Sequence, residues 1–216
     1  MKQFSLILIP FLFIGCAAVP LTKNIQIKPE EHNQVIIVDP VNKTQAQLTL
    51  WQYEHRQWKK MYGPIPAVVG RSGIAKQGIK KEGDGFTPSG TFDLPYAFGK
   101  TNAINSAFPY HQATTHDFWV DDVKSPQYNQ WVKGKPDASS FEELNRKDRL
   151  YHLAVVVNYN TNPIKPGDGS AIFLHIWRNY YHPTSGCIAI NERHLRKIVK
   201  RLNKNLKPVI QINANQ

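Results

Sequence analysis

Hydrophobic positions along this chain fall mostly in short runs or in period-two alternation, the spacing of strands rather than of helices. Gln34-Val35-Ile36-Ile37-Val38-Asp39 is a compact apolar run stopped by Pro40, as a buried strand would be. From Gln47 to Glu54 the pattern alternates through Leu48, Leu50 and Tyr53, and Ile65 to Val69 makes a third strand. Gly70 to Gly90 is glycine-rich, and its Gly83-Asp84-Gly85-Phe86-Thr87-Pro88-Ser89-Gly90 reads as tight turns. Phe141 to Lys147 predicts a short helix capped by Ser139 or Ser140. Tyr151 to Tyr159 and Ala171 to Trp177 are β-rich, with Pro163 and Gly167-Asp168-Gly169 between them. The clearest helical spacing comes late. After Asn191, a good N-cap, Leu195, Ile198, Val199 and Leu202 share one face, while Arg193, Arg196, Lys197, Lys200, Arg201 and Lys204 fill the rest. Pro208 to Ile212 closes as a strand. The pattern predicts one mainly-β domain with a few helices, including one C-terminal amphipathic helix.

The N-terminus has a different character. Lys2 precedes Phe4 to Ile14, which is almost wholly apolar but shorter than the roughly 20 residues a membrane-spanning helix needs. That length fits the apolar core of an export signal over residues 1–15. Gly15-Cys16-Ala17 resembles a bacterial lipoprotein box, in which Cys16 is acylated after cleavage; cleavage near Ala18 is the alternative, given Phe13 three positions before the cysteine. Residues 16–33 are polar without hydrophobic period and read as a tether, leaving 34–216 as the domain. The expected location is the periplasm, with a lipid anchor in the outer membrane because Ala17 lacks the usual inner-membrane retention signal.

Composition supports a packed domain, with 41% hydrophobic and 11% aromatic residues. The formal charge of +11 would point to nucleic acid in a cytoplasmic protein. An exported chain meets lipid headgroups and cell wall instead, and no basic–aromatic motif is present, so no nucleic-acid partner is expected. The basic helix face reads as a solvated surface.

Cysteine usage changes the picture most. The chain has two cysteines, and Cys16 belongs to the export signal, so Cys187 has no evident disulfide partner in an oxidising compartment. A buried hydrophobic role and a nucleophilic one are both open to such a residue. His175 lies in Phe173-Leu174-His175-Ile176-Trp177, where alternation places Phe173, His175 and Trp177 on one face. The loop-like Arg178 to Pro183 can return the thiol of Cys187 to the imidazole, which would take its proton. The backbone N–H groups of Gly186 and Cys187 could then meet a developing oxyanion.

Leu174-His175-Ile176 followed by Thr184-Ser185-Gly186-Cys187-Ile188-Ala189 resembles the active-site signature of the L,D-transpeptidase (YkuD-type) family. Thr87-Pro88-Ser89-Gly90-Thr91-Phe92 resembles a second segment of that family, and the likeness runs from about Gln34 to Ile212. The resemblance implies a β-sandwich-like fold and peptidoglycan stem peptides as partners. It implies Cys187 as nucleophile and His175 as base, a thioester formed as terminal D-alanine leaves, and transfer to an amine of another stem. It also implies acylation by carbapenems and no metal or organic cofactor. Hydrolysis of the same thioester, an L,D-carboxypeptidase activity, and a non-catalytic wall-binding lipoprotein are the alternatives.

Three features depart from the common family form: Ser185 stands where a histidine is usual, Ala189 where an arginine is usual, and only 11 residues separate His175 from Cys187. They resemble a divergent branch with Thr-x-Gly-Cys. Thr184, Ser185 and Gly186 remain candidate oxyanion or substrate contacts, and Arg178 and His182 candidates for the missing positive charge, with exposed loop residues as the plain alternative. Asp121 and Asp122 could meet a stem amine or form a solvated turn. A zinc site from His175, His182 and Cys187 lacks any accompanying metal-binding spacing.

Overall fold

The computed structural model of the chain describes residues 25–214, so the expected signal segment, Cys16 and much of the expected tether lie outside the described residues. Strands dominate. β1 (Gln34–Pro40) and β2 (Gln45–Glu54) form a hairpin that continues into β3 (Gln57–Val68). The short β4 (Gly73–Ile74) and β5 (Phe86–Thr87) pair with each other, and β6 (Gly90–Asp93) reaches one edge of the main sheet. β7 (Ala97–Gly99) and β8 (Tyr110–Gln112) close the other edge. β9 (Asp117–Val120) is then flanked by β10 (Trp131–Lys133) and β11 (Phe141–Glu143) in a separate three-stranded sheet. β12 (Leu153–Val156), β13 (Phe173–Ile176) and β14 (Ile188–Ile190) return to the main sheet, and α1 (Glu192–Val199), a 3-10 turn at Lys204–Leu206 and β15 (Val209–Ile212) finish the domain. Across the ten-stranded sheet the order is β6-β15-β1-β2-β3-β14-β13-β12-β7-β8.

Alternation along these strands explains how the sheet is covered on both faces. Ile36, Val38, Leu48, Leu50, Leu153, Val155, Leu174, Ile176, Ile188 and Ile190 point into one core, which also receives Leu195, Ile198, Val199 and Leu202. Each such side chain contributes roughly 1.5–3 kcal/mol by leaving water. Ala154, Val156, Phe173 and Cys187 point the other way, into a second cluster with Phe98, Trp119, Leu144 and Tyr151. Phe173 is its hub, with the rings of Phe98, Trp119 and Tyr151 each edge-on to it at 5.1–5.6 Å between centroids. Register shifts between Leu48 and Trp51 in the β2–β3 pair add the local twist that curls the sheet.

The helix expected over residues 141–147 needs correction. Residues 141–147 do not form a helix: Phe141 and Glu143 pair with Val120 and Phe118 on β9, and Phe141 stacks edge-on against Phe118. The Glu142–Arg146 spacing imitates a helical ion pair, but strand pairing and the burial of Leu144 outweigh the propensity of so short a segment. Ser139 caps no helix, because its N–H and hydroxyl both donate to Asp122. Among the described residues α1 is the one α-helix, where a few were expected. It starts as predicted, with Asn191 accepting from the Arg193 N–H at 2.9 Å. Within the expected tether, residues 25–33 lie on the domain: Ile27 is buried with Val35, Ile37, Trp51 and Val209, and Asn33 donates to the Leu206 carbonyl. Among the described residues no helix is long and apolar enough to cross a membrane.

Candidate active site

Parallel pairing of β13 with β14 brings the two sequence candidates together. Leu174 is opposite Ile188 and His175 opposite Ala189, so Cys187, one residue before β14, falls beside Phe173. His175 and Cys187 are therefore diagonal neighbours on one face of adjacent strands. In that row His175 sits between Ala154 on β12 and Ala189 on β14, and the two small side chains leave space beside the imidazole. The result is a pocket of about 170 Å³ lined by both residues together with Glu142, Arg146, Tyr151, Trp177, Arg178 and Ser185. A larger, open concavity of about 1050 Å³ lies at the β6–β15–β1 edge around Asp39, Lys76 and Ser89, and it contains neither member of the pair.

Backbone groups set the state of each member. The His175 Nδ1 lies 2.8 Å from the Ile176 carbonyl. A carbonyl oxygen only accepts, so Nδ1 carries the proton and Nε2 keeps a lone pair as acceptor. The Cys187 thiol donates to the Ala171 carbonyl at 3.2 Å, and its sulfur receives the Phe173 N–H at 3.4 Å. Burial pushes the thiol up to about 12, against a smaller opposing pull from the Phe173 N–H. Burial likewise pushes the His175 imidazole down to about 4, only partly offset by the bond to Ile176. The resting pair is neutral thiol and neutral imidazole.

Ala171 holds its carbonyl toward the thiol from a left-handed backbone conformation (φ +52), which is costly for a residue with a Cβ. Asn129 enforces it. This buried amide accepts from the Ala171 N–H and the Trp119 indole and donates to the carbonyls of Tyr159 and Asn160. A polar hub inside the second core thus fixes the loop that carries the thiol's partner.

The turn before Cys187 is held as firmly. Thr184 Oγ1 donates to the Cys187 carbonyl at 2.6 Å and accepts the Gly186 N–H at 3.1 Å, and Thr87 Oγ1 donates to the same carbonyl at 3.2 Å. Gly186 has φ +156, and a Cβ there would stand 3.1 Å from the Phe86 carbonyl. The Gly186 N–H, expected at the oxyanion, is thus committed to Thr184, which itself lines the pocket. Ser185, Arg178 and His182 are exposed and line the pocket. Asp122 caps a turn through Ser139 and Lys124, Asp121 has a buried Oδ1 without a partner, and neither lines the pocket. Among the described residues no cluster of three or more His, Cys, Asp or Glu side chains could hold a metal ion.

Sequence reasoning missed one whole wall. Tyr151, buried, packs its ring edge-on against His175 at 5.3 Å and donates its hydroxyl to Glu142 Oε2 at 3.2 Å. Arg146 stacks over the Tyr151 ring at 5.2 Å, grips Asp148 through Nε and Nη2, and reaches Glu142 through Nη1 at 3.1 Å. Burial raises the Glu142 carboxyl, and the bonds from Arg146 hold the Asp148 carboxyl below its usual range. These residues sit in a charged run whose only sequence signal imitated a helix.

No curated protein matches the chain. Among solved structures, the helical cell shape determining protein Pgp2 from Campylobacter jejuni is similar, with 14% identity and a TM-score of 0.48. The likeness covers 87% of this chain and 49% of that one, so the chain spans about half the length of Pgp2. The family model for the L,D-transpeptidase catalytic domain, YkuD, matches residues 33–210, and the chain belongs to that family.

Proposed function

We propose that this protein is a peptidoglycan L,D-transpeptidase with Cys187 as nucleophile and His175 as base. The observation that carries the reading is the pairing of the two in one pocket, with His175 Nδ1 tied to a backbone carbonyl so that Nε2 is the acceptor. The reaction begins when the thiol leaves the Ala171 carbonyl and passes its proton to Nε2 as sulfur bonds to the carbonyl carbon of the third stem residue. Because the pair rests neutral, proton transfer accompanies attack. With the Gly186 N–H committed to Thr184, the oxyanion falls to the Cys187 N–H and the Ser185 hydroxyl. Collapse breaks the C–N bond, Nε2–H protonates the departing amine of D-alanine, and a thioester remains. An amine of a second stem then attacks, gives its proton to Nε2, and the C–S bond breaks as the thiol is restored.

The same reading places the protein outside the cytoplasm, exported by residues 1–15 and anchored through lipid on Cys16. Mass spectrometry of disaccharide-tetrapeptide incubated with the full chain, beside Cys187→Ala, tests it. Loss of alanine with dimer formation, absent in the variant, is the expected result. Loss of alanine without dimers assigns water as the acceptor. No loss, with no adduct on Cys187 after a carbapenem, overturns the catalytic reading.

A further inference from the structure

We propose that Arg146, assisted by Arg178, forms the subsite for the α-carboxylate of the residue that leaves from Cys187. The inference rests on the catalytic reading above for its orientation. In that reaction Nε2 of His175 must lie about 3 Å from the leaving nitrogen to protonate it. The α-carbon and carboxylate of the leaving residue follow one and two bonds beyond. They therefore fall on the wall next to His175, which is built from Tyr151, Arg146 and Glu142.

Arg146 is prepared for such a ligand. A guanidinium has five N–H donors. Three are used, on Asp148 Oδ1, Asp148 Oδ2 and Glu142 Oε2, which hold the fork over the Tyr151 ring and leave two N–H groups uncommitted. The fork has lost its rotational freedom before any ligand arrives, so binding need not order it again. Asp148 and Glu142 balance much of its charge, so recognition comes from directed hydrogen bonds. Arg178 adds charge. It lines the same pocket, lies near enough to lower the Asp148 carboxyl, and makes no hydrogen bond or ion pair among the described residues. Ala189 completes the arrangement. It stands in the row beside His175, and its small side chain leaves room for a positive charge delivered from another segment.

The consequence is a preference for stems that end in a free carboxylate directly after the scissile bond. Binding is measured by calorimetry on the full chain carrying Cys187→Ala, with two synthetic tetrapeptide stems, one ending in D-alanine and one in D-alaninamide. The carboxylate form should bind about 10- to 100-fold tighter, the worth of a charge-assisted hydrogen bond. Adding Arg146→Ala should bring the two peptides within about threefold by weakening only the carboxylate form, and Arg146→Lys should restore part of the difference. Equal binding of the two peptides, binding of neither, or an equal loss for both in Arg146→Ala overturns the subsite. Discrimination in binding without alanine release by the unmodified protein leaves the subsite standing and removes the catalytic reading instead.

Discussion

Replacing His175 by asparagine should leave the intrinsic reactivity of Cys187 almost untouched while abolishing acylation. Burial puts the thiol at about 12 and the imidazole at about 4. At pH 7 that leaves about one thiol in 100,000 ionised, against about 3% for an ordinary cysteine. Alkylation by iodoacetamide, which consumes thiolate, should therefore run about a thousandfold slower than on a free thiol and climb with pH through 10 without a plateau. An imidazolium partner would give the opposite profile, with a plateau and a midpoint in the acid range that vanishes with the histidine. Restricted access lowers the rate at every pH alike and leaves the midpoint in place, so the profile separates access from ionisation. His175→Asn should change the pH 7 alkylation rate less than about threefold, yet lower acylation by a tetrapeptide stem about 100- to 10,000-fold, the worth of a general base. A midpoint below pH 6 in the unmodified protein, lost in His175→Asn, would refute the neutral pair.

The same burial couples the site to acid stability. A fall from 6.5 unfolded to about 4 folded stabilises the protein above pH 6.5 by about 3 kcal/mol, lost as pH drops from 6.5 through 4. His175→Gln should flatten that part of the Tm–pH curve. Asn129→Ala strands the Trp119 indole, the Ala171 N–H and two loop carbonyls, and should cost about 3–5 kcal/mol by urea unfolding. Thr184→Val removes the hydroxyl bond to the Cys187 carbonyl and the acceptor of the Gly186 N–H, so acylation should fall about tenfold or more. Thr184→Ser should recover most of that rate in the same mass-spectrometric assay.

Legibility in the sequence followed burial. β1 was plain because both faces are covered: Ile36 and Val38 enter the main core while Val35 and Ile37 meet Ile27 and Trp51. β3 was half hidden. It runs from Gln57, but Pro64 and Pro66 interrupt the apolar pattern, so only its final third had a strand signature. β7, β10 and β14 have three residues each, too few to establish a period. Cys187 and His175 were legible because their motifs are local and their strands adjacent. Glu142, Arg146 and Tyr151 were not, since they reach the site from β11 of the three-stranded sheet and the turns that link it to β12, and no spacing along the chain encodes that meeting.

That origin of the missed wall bears on how the site divides its tasks. His175 on β13 and Cys187 just before β14, the proposed base and nucleophile, lie at the centre of the main sheet, fixed by the β13–β14 ladder and by backbone partners at Ile176, Ala171 and Phe173. None of those partners is a side chain of the charged wall, so substitutions in that wall leave the bonds that set the tautomer of His175 and the thiol in place. The charged wall is anchored elsewhere, through β11 on β9 and the pair of carboxylates that grip Arg146. Ala154 and Ala189 keep the strand face beside His175 bare, so charge reaches it from outside the ladder, from Arg146 after β11 and Arg178 after β13. On the proposed reading, chemistry is thereby built into the ladder, and selection of the leaving residue into a segment that is held by different bonds.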